Sequence, residues 1–289
     1  MKAAPFDYFQ AATLDEVIAA FQRFGDEACI LAGGQSLMPL LNMRLADPQV
    51  LIDINHIAEL QGVSLIDGHV RIGALTRHSE LARSADIAQH APLLKLAAPH
   101  IAHPAIRNRG TIGGSLSHAD PAAELPACVI ASNARINLAG PNGTRTVAAG
   151  EFFQGIFETT LAAGEILTSV DIPLLGADDV VAFDELARRS GDYAAAGIAA
   201  KGTRADGGLR DLRIVFFSIA DRPLLAEKTM AAVADLTWSD ETAAAARAAF
   251  DADLTDLADD LHTSAATKKH LAWVLCGRAM TELAGSDAL

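Results

Sequence analysis

The sequence predicts an α+β fold: two small α/β units followed by a C-terminal antiparallel sheet with helices. Three observations carry that reading. Short apolar runs alternate with helical periodicity as far as Pro173, three long strand-like runs follow, and the chain turns helical from Ser239 onward. The predicted units span 1–57, 58–175 and 176–289. With 289 residues, 51% of them hydrophobic, the chain has enough apolar material for a sizeable core.

Thr13 with Glu16 forms a capping box, and Leu14, Val17, Ile18, Phe21 and Phe24 fall on one helical stripe that ends at Gly25. Residues 28–31 read as a buried strand running into Ala32-Gly33-Gly34-Gln35-Ser36. Ser36 is expected to cap a helix over 37–45, in which Pro39 is tolerated because a first-turn N–H has no intrahelical partner. A strand at 50–54 and a hairpin of 63–66 with 69–72 across Asp67-Gly68 come next. Helices at 79–85 and 92–101 precede Gly110-Thr111-Ile112-Gly113-Gly114-Ser115, and an apolar helix covers 122–131. Strands at 135–138, 145–148 and 166–172 are separated by turn signals such as Pro141-Asn142-Gly143. A linker at 174–179 leads to strands at 180–187, 194–203 and 209–219, the last two joined by Asp206-Gly207-Gly208. Helices at 240–250 and 267–283 close the chain, the second placing Leu271, Val274, Leu275 and Met280 near one face.

A net charge of −13 repels polyanions, which excludes nucleic acid as a partner. The start carries no apolar core run of a signal or transit peptide, and no uninterrupted apolar span reaches membrane length, so a cytoplasmic chain without membrane insertion is expected. Cys29, Cys128 and Cys276 are too scattered for a disulfide framework or a metal cluster and read as buried small residues.

The two glycine segments are where function is written. Each has Gly-Gly followed closely by Ser and then helix-compatible sequence, so each presents bare N–H groups to an anion, and the pair suits one pyrophosphate. Neither has Walker or Rossmann spacing, and a lone Gly-Gly serves turns or packing equally well. Arg107-Asn108-Arg109 either neutralises the anion or forms a solvated surface. His103 and His118 lack the spacing of a metal site and suit structural or cofactor-edge roles. Asp192 is expected to cap or to pair with Arg188 or Arg189, and the acidic 251–260 stretch to be a solvated face.

Three stretches, LAGGQSLMPLLNMRLADPQVLIDI, HPAIRNRGTIGGSLSHADPAAELPA and ARRSGDYAAAGIAA, make nearly the whole chain resemble the FAD-binding medium subunits of molybdenum hydroxylases. The resemblance implies a vanillyl-alcohol-oxidase-like (PCMH-type) FAD-binding fold. It implies that FAD takes electrons from a small iron-sulfur subunit and passes them to an external acceptor. The molybdenum cofactor and the substrate pocket would lie in a large subunit, within a dimer of three-subunit units. Carried over by position, Ala32, Gly33, Gly34, Gln35, Ser36 and Leu37, with Gly110, Thr111, Ile112, Gly113, Gly114 and Ser115, would hold the diphosphate and adjoining ribityl groups. Ile101 would lie against the adenine, and Glu124 would bond ribose or adenine. His118 would approach the flavin, Leu167 would line its ring, and Tyr193 would cover it or gate access. Gln35, Ser115, Glu124 and the Phe183-Asp184-Glu185 run look more like N-heteroaromatic hydroxylases such as quinoline 2-oxidoreductase than like carbon monoxide dehydrogenase, while Glu185 replaces a Lys of some members. No catalytic acid or base and no metal ligand is expected in this chain. A stand-alone flavin reductase of the same superfold and a non-catalytic structural subunit are the competing readings.

Overall fold

The computed structural model describes residues 2–206 and 208–285, so Gly207 of the expected 206–208 turn lies outside the described residues. β1 (Asp7–Gln10), α1 (Leu14–Phe24), β2 (Ala28–Leu31), α2 (Leu37–Met43) and β3 (Val50–Asp53) build a parallel sheet of order β1-β3-β2. β1 escapes sequence reasoning because all four of its residues are exposed and carry no apolar period. Thr13 caps α1 by accepting from the Glu16 N–H, and Gly25 ends it at φ 54°. The second arm of the expected box is displaced by one residue, since Glu16 Oε2 accepts from the Ala12 N–H at 2.7 Å. Ser36 does not cap α2. It already has helical φ and ψ (−98°, −45°), whereas a capping oxygen reaches back only from an extended residue. Arg44, left-handed at φ 58°, stops α2 short of Leu45.

β4 (Val63–Ile66) and β5 (His69–Gly73) pair across Asp67 and Gly68, both at positive φ (46° and 76°), as a two-residue hairpin turn requires. The expected 79–85 helix falls instead into α3 (His78–Leu81) and α4 (Ala85–His90), because Ser84 is extended and its side chain caps α4 through the Ile87 N–H. α5 (Pro92–Ala97) ends before Ile101, and the chain turns through Ala102 at φ 42° into α6 (Pro104–Arg107). Next come α7 (Ile112–His118) and α8 (Glu124–Ala131), the latter buried on every side from Leu125 onward. β6 (Arg135–Gly140), β7 (Gly143–Ala148), α9 (Ala149–Phe152), the short ribbon of β8 (Phe153–Gly155) with β9 (Glu158–Thr159), and β10 (Ile166–Pro173) follow. They complete an antiparallel sheet of order β4-β5-β10-β6-β7.

The third sheet is antiparallel in sequence order: β11 (Asp179–Ala187), β12 (Ala194–Ala205), β13 (Gly208–Phe217) and β14 (Leu224–Leu225). Alternate residues face different cores. Ala199, Val215 and Phe217 join Leu93, Leu94 and Val129 of α5 and α8. Ile198, Ala200, Ile214 and Phe216 join Phe250, Leu275 and Met280 under α10 (Glu227–Val233), α11 (Asp240–Asp253) and α12 (Ala265–Ala284). Burial on both faces explains why the inner stretches 194–200 and 214–217 show no polar alternation. The core of the first sheet is closed by Leu75, Ala139 and Ile166 from the second. Cys128 and Cys276 are buried, but Cys29 on β2 is only half-buried. Among the described residues Asp192 forms no ion pair; its N–H donates to the Arg189 carbonyl at 3.1 Å. No helix among the described residues is long and apolar enough to cross a membrane.

Gly197 faces Phe217, and a Cβ there would overlap the fully buried ring. Gly197→Ala is expected to cost about 1–3 kcal/mol through overpacking, read from the midpoint of denaturant unfolding. An unchanged midpoint would show that the ring has room to shift.

Candidate functional site

β2 delivers the chain to Ala32, and residues 33–36 leave the sheet before α2 begins. Among the described residues the N–H groups of Gly33, Gly34, Gln35 and Ser36 donate to no protein acceptor. Gly34 stands at φ 70°, the left-handed conformation that turns successive N–H groups to one side. Gln35 folds its amide back onto the Gly33 carbonyl at 3.1 Å. Gly33, Gly34 and Gln35 border a cavity of about 390 Å³ together with Asp53, Asn55 and Arg109.

The second segment is built differently from its sequence expectation. Gly113 and Gly114 lie inside the first turn of α7, and their N–H groups are not bare. Thr111 caps the helix, its side chain accepting from the Gly114 N–H at 3.1 Å. Ile112 donates to the Thr76 carbonyl at 3.0 Å, Gly113 to Ala74 at 2.8 Å and Ser115 to Thr111 at 3.0 Å. The glycines here serve close packing. A Cβ on Gly113 would lie 2.6 Å from the Ala74 Cβ, and one on Gly110 would lie 2.9 Å from the His78 ring. Likewise a Cβ on Gly33 would overlap the Arg109 carbonyl, so the two segments, far apart in sequence, touch through bare backbone.

The basic tripeptide divides between its two readings. Arg107 is structural, since its Nη1 binds the carbonyls of Pro99, Ile101 and Ala102 at 3.1, 2.9 and 2.9 Å and fixes the turn after α5. Arg109 borders the cavity and makes no ion pair among the described residues. His78, which sequence reasoning passed over, is buried beneath Gly110 with neither ring nitrogen hydrogen-bonded. Burial pushes its pKa down to about 4, which keeps the imidazole neutral beside the Arg77 and Arg107 charges.

The remaining candidates gather around the start of α8. Glu124 opens that helix, and burial, followed by the Glu185 charge, pushes its carboxyl up to about 7. Glu185, on β11, has a side chain only 7% exposed; its Oε1 lies 3.2 Å from His100 Nδ1 and its Oε2 has no partner. That contact holds the His100 imidazolium above its usual range. No motif marked His100, whose position one residue before Ile101 was its sole signal. Ile101 and Leu167 are themselves core residues, 7% and 3% exposed. His118, at the end of α7, stacks on Phe157 with centroids 4.8 Å apart. Phe157, itself largely exposed, donates its N–H to the Ala119 carbonyl. Tyr193 is 73% exposed. Leu37 begins α2, half-buried beside the first segment.

Two family models match the chain: the FAD binding domain in molybdopterin dehydrogenase over residues 4–175, and the CO dehydrogenase flavoprotein C-terminal domain over residues 181–283. The 6-hydroxypseudooxynicotine dehydrogenase complex subunit alpha of Paenarthrobacter nicotinovorans is 45% identical over 69% of this chain and 67% of its own length. Carbon monoxide dehydrogenase from Hydrogenophaga pseudoflava matches with a TM-score of 0.94 at 37% identity, covering 97% of this chain and 98% of that one. Quinoline 2-oxidoreductase from Pseudomonas putida 86 matches at 0.90 with 35% identity over 99% of each chain.

Glu124 carries a pH prediction. The folded chain keeps its proton at pH values where the unfolded chain has released it, so stability falls as pH rises from about 4.5 to about 7. Glu124→Gln is expected to flatten that slope in melting temperature against pH. Wild-type and variant profiles that run parallel across the window would refute the assignment.

Proposed function

Since the chain belongs to the FAD-binding family of molybdopterin dehydrogenases, the medium subunits of multi-subunit molybdenum hydroxylases, we propose that it holds FAD across its two glycine segments. Electrons would reach that FAD from a small iron-sulfur subunit and leave to an external acceptor. The observation that carries the reading is the open N–H row of residues 33–36, of which Gly33, Gly34 and Gln35 border a cavity that Arg109 borders too. Several convergent neutral donors and one cation suit a diphosphate, and they suit it in a chain whose net charge of −13 would otherwise repel it.

When bound, FAD supplies one- and two-electron transfer, so the protein's part is binding, orientation and tuning, and no side-chain acid or base is obligatory. Gly33, Gly34, Gln35 and Ser36 would supply the diphosphate donors, with Ala32 and Leu37 flanking them. Gly110 to Ser115 would supply a close-packed wall and the Ser115 hydroxyl, because the N–H groups of Gly110, Ile112, Gly113, Gly114 and Ser115 are engaged within the protein. Ile101 would lie against the adenine, and Glu124 would bond ribose or adenine. His118, Leu167 and Tyr193 would face the flavin, and the exposure of Tyr193 suits a cover or gate. We read the chain as three units, 1–57, 58–175 and 176–289, working in the cytoplasm beside a large subunit with the molybdenum cofactor. Gln35, Ser115, Glu124 and Glu185 favour an N-heteroaromatic substrate for that complex.

The visible spectrum of the purified protein tests the reading. Flavin bands, with FAD released on denaturation, are the expected result; a chain that stays colourless when FAD is added, alone and with its partners, overturns it. Gly33→Val forces the two segments apart and is expected to lower bound flavin at least about tenfold. Full flavin content in that variant would remove the first segment from the site.

A further inference from the structure

One hydrogen-bonded chain crosses from the first sheet to the second glycine segment, and it controls the carbonyl groups that flank the cavity. The Tyr8 hydroxyl donates to Asp53 Oδ2. Asp53 Oδ1 accepts from the backbone N–H of Asn55 at 2.8 Å and from its Nδ2 at 2.7 Å. The same Nδ2 shares its hydrogens with the carbonyls of Ala32 at 2.8 Å and Leu31 at 3.3 Å. Asn55 Oδ1 accepts from Arg77 Nη2 at 2.7 Å, and Arg77 Nη1 donates to the Arg109 carbonyl. Two backbone bonds run alongside, from His78 to Gly110 and from Ile112 to Thr76, both 3.0 Å.

The consequence is electrostatic. The Ala32 and Arg109 carbonyls immediately adjoin the open N–H row, and a carbonyl oxygen aimed at the cavity would repel an anion. Asp53 also borders the cavity; hydrogen bonds from Tyr8 and Asn55 outweigh burial and hold its carboxyl below the ordinary range, so it stays ionised, and both of its oxygens are taken up by those donors. Resting on the FAD reading above, we propose that Asn55 and Arg77 are positioning residues for the cofactor diphosphate. They hold the Ala32 and Arg109 carbonyls out of the cavity and lock residues 33–36 against Arg109 and Gly110. The anion is then met by the N–H groups of residues 33–36 rather than by carbonyl oxygens.

The test uses the full chain as purified, stripped of flavin and titrated calorimetrically with FAD and with ADP, which carries a diphosphate but no flavin. Wild type is compared with Arg77→Lys, Arg77→Met and Asn55→Ser, alongside the melting temperature of each ligand-free protein. Affinity for both ligands is expected to fall about tenfold in Arg77→Lys, which keeps the charge but lacks the fork that bonds Asn55 and the Arg109 carbonyl together, and about a hundredfold in Arg77→Met. FAD and ADP should lose the same factor, because the clip acts on the group they share. Wild-type affinity in the variants, or loss of FAD with ADP retained, overturns the clip. If Arg77→Met does not fold, Arg77→Lys and Asn55→Ser decide, and unchanged ADP affinity in both with wild-type melting overturns it. A wild-type chain that binds neither ligand overturns the FAD reading itself, a result distinct from failure of the clip.

Discussion

The close approach of Gly33 to the backbone of Arg109 and Gly110 is the constraint on which the site depends. The segment leaving the first sheet after β2 and the segment between α6 and α7 meet there with no side chain between them. Every nearby element answers to that contact. α7 can lie against Ala74 only because Gly113 has no Cβ, and Gly110 passes over the buried His78 ring for the same reason. The first sheet is correspondingly not free-standing, since Leu75, Ala139 and Ile166 of the second complete its core.

The same contact sets the division of electrostatic labour. An acidic chain cannot rely on its long-range field to hold an anion, so the attraction must be local and made of fixed dipoles. One segment keeps its N–H groups open, and the other uses its own to hold the first turn of α7 on Ala74 and Thr76. A second group of acidic side chains gathers around the start of α8, where Glu185 meets the His100 ring beside Glu124. Burial drives the Glu124 carboxyl up, and the Glu185 charge acts in the same direction.

Local signals located most elements well. The strand at 28–31, the hairpin across Asp67 and Gly68, and the expected strands at 180–187, 194–203 and 209–219 match the structure to within about two residues, because each is set by its own apolar run and turn residues. The misses share another cause. β1 is exposed and pairs with β3 across more than forty residues of sequence, so nothing in its own four residues reports it. Ser36 has the composition of a cap without the backbone of one. Helix 92–101 stops early because Arg107 captures the carbonyls of the turn at 99–102, a bond invisible to periodicity.

By itself the sequence determined most of the order of elements, the location of the two glycine segments and, through three ordered motifs, the family. Tertiary structure decided which glycine N–H groups are open. That depends on whether a carbonyl from another element, Ala74 or Thr76, arrives to take them. It also decided that Arg109 borders the cavity while Arg107 braces a turn, and that Asn55, Arg77, Tyr8 and Asp53 act as one network. Hydrogen bonds between distant segments leave no period in the chain, and only folding brings their donors and acceptors within 3 Å of one another.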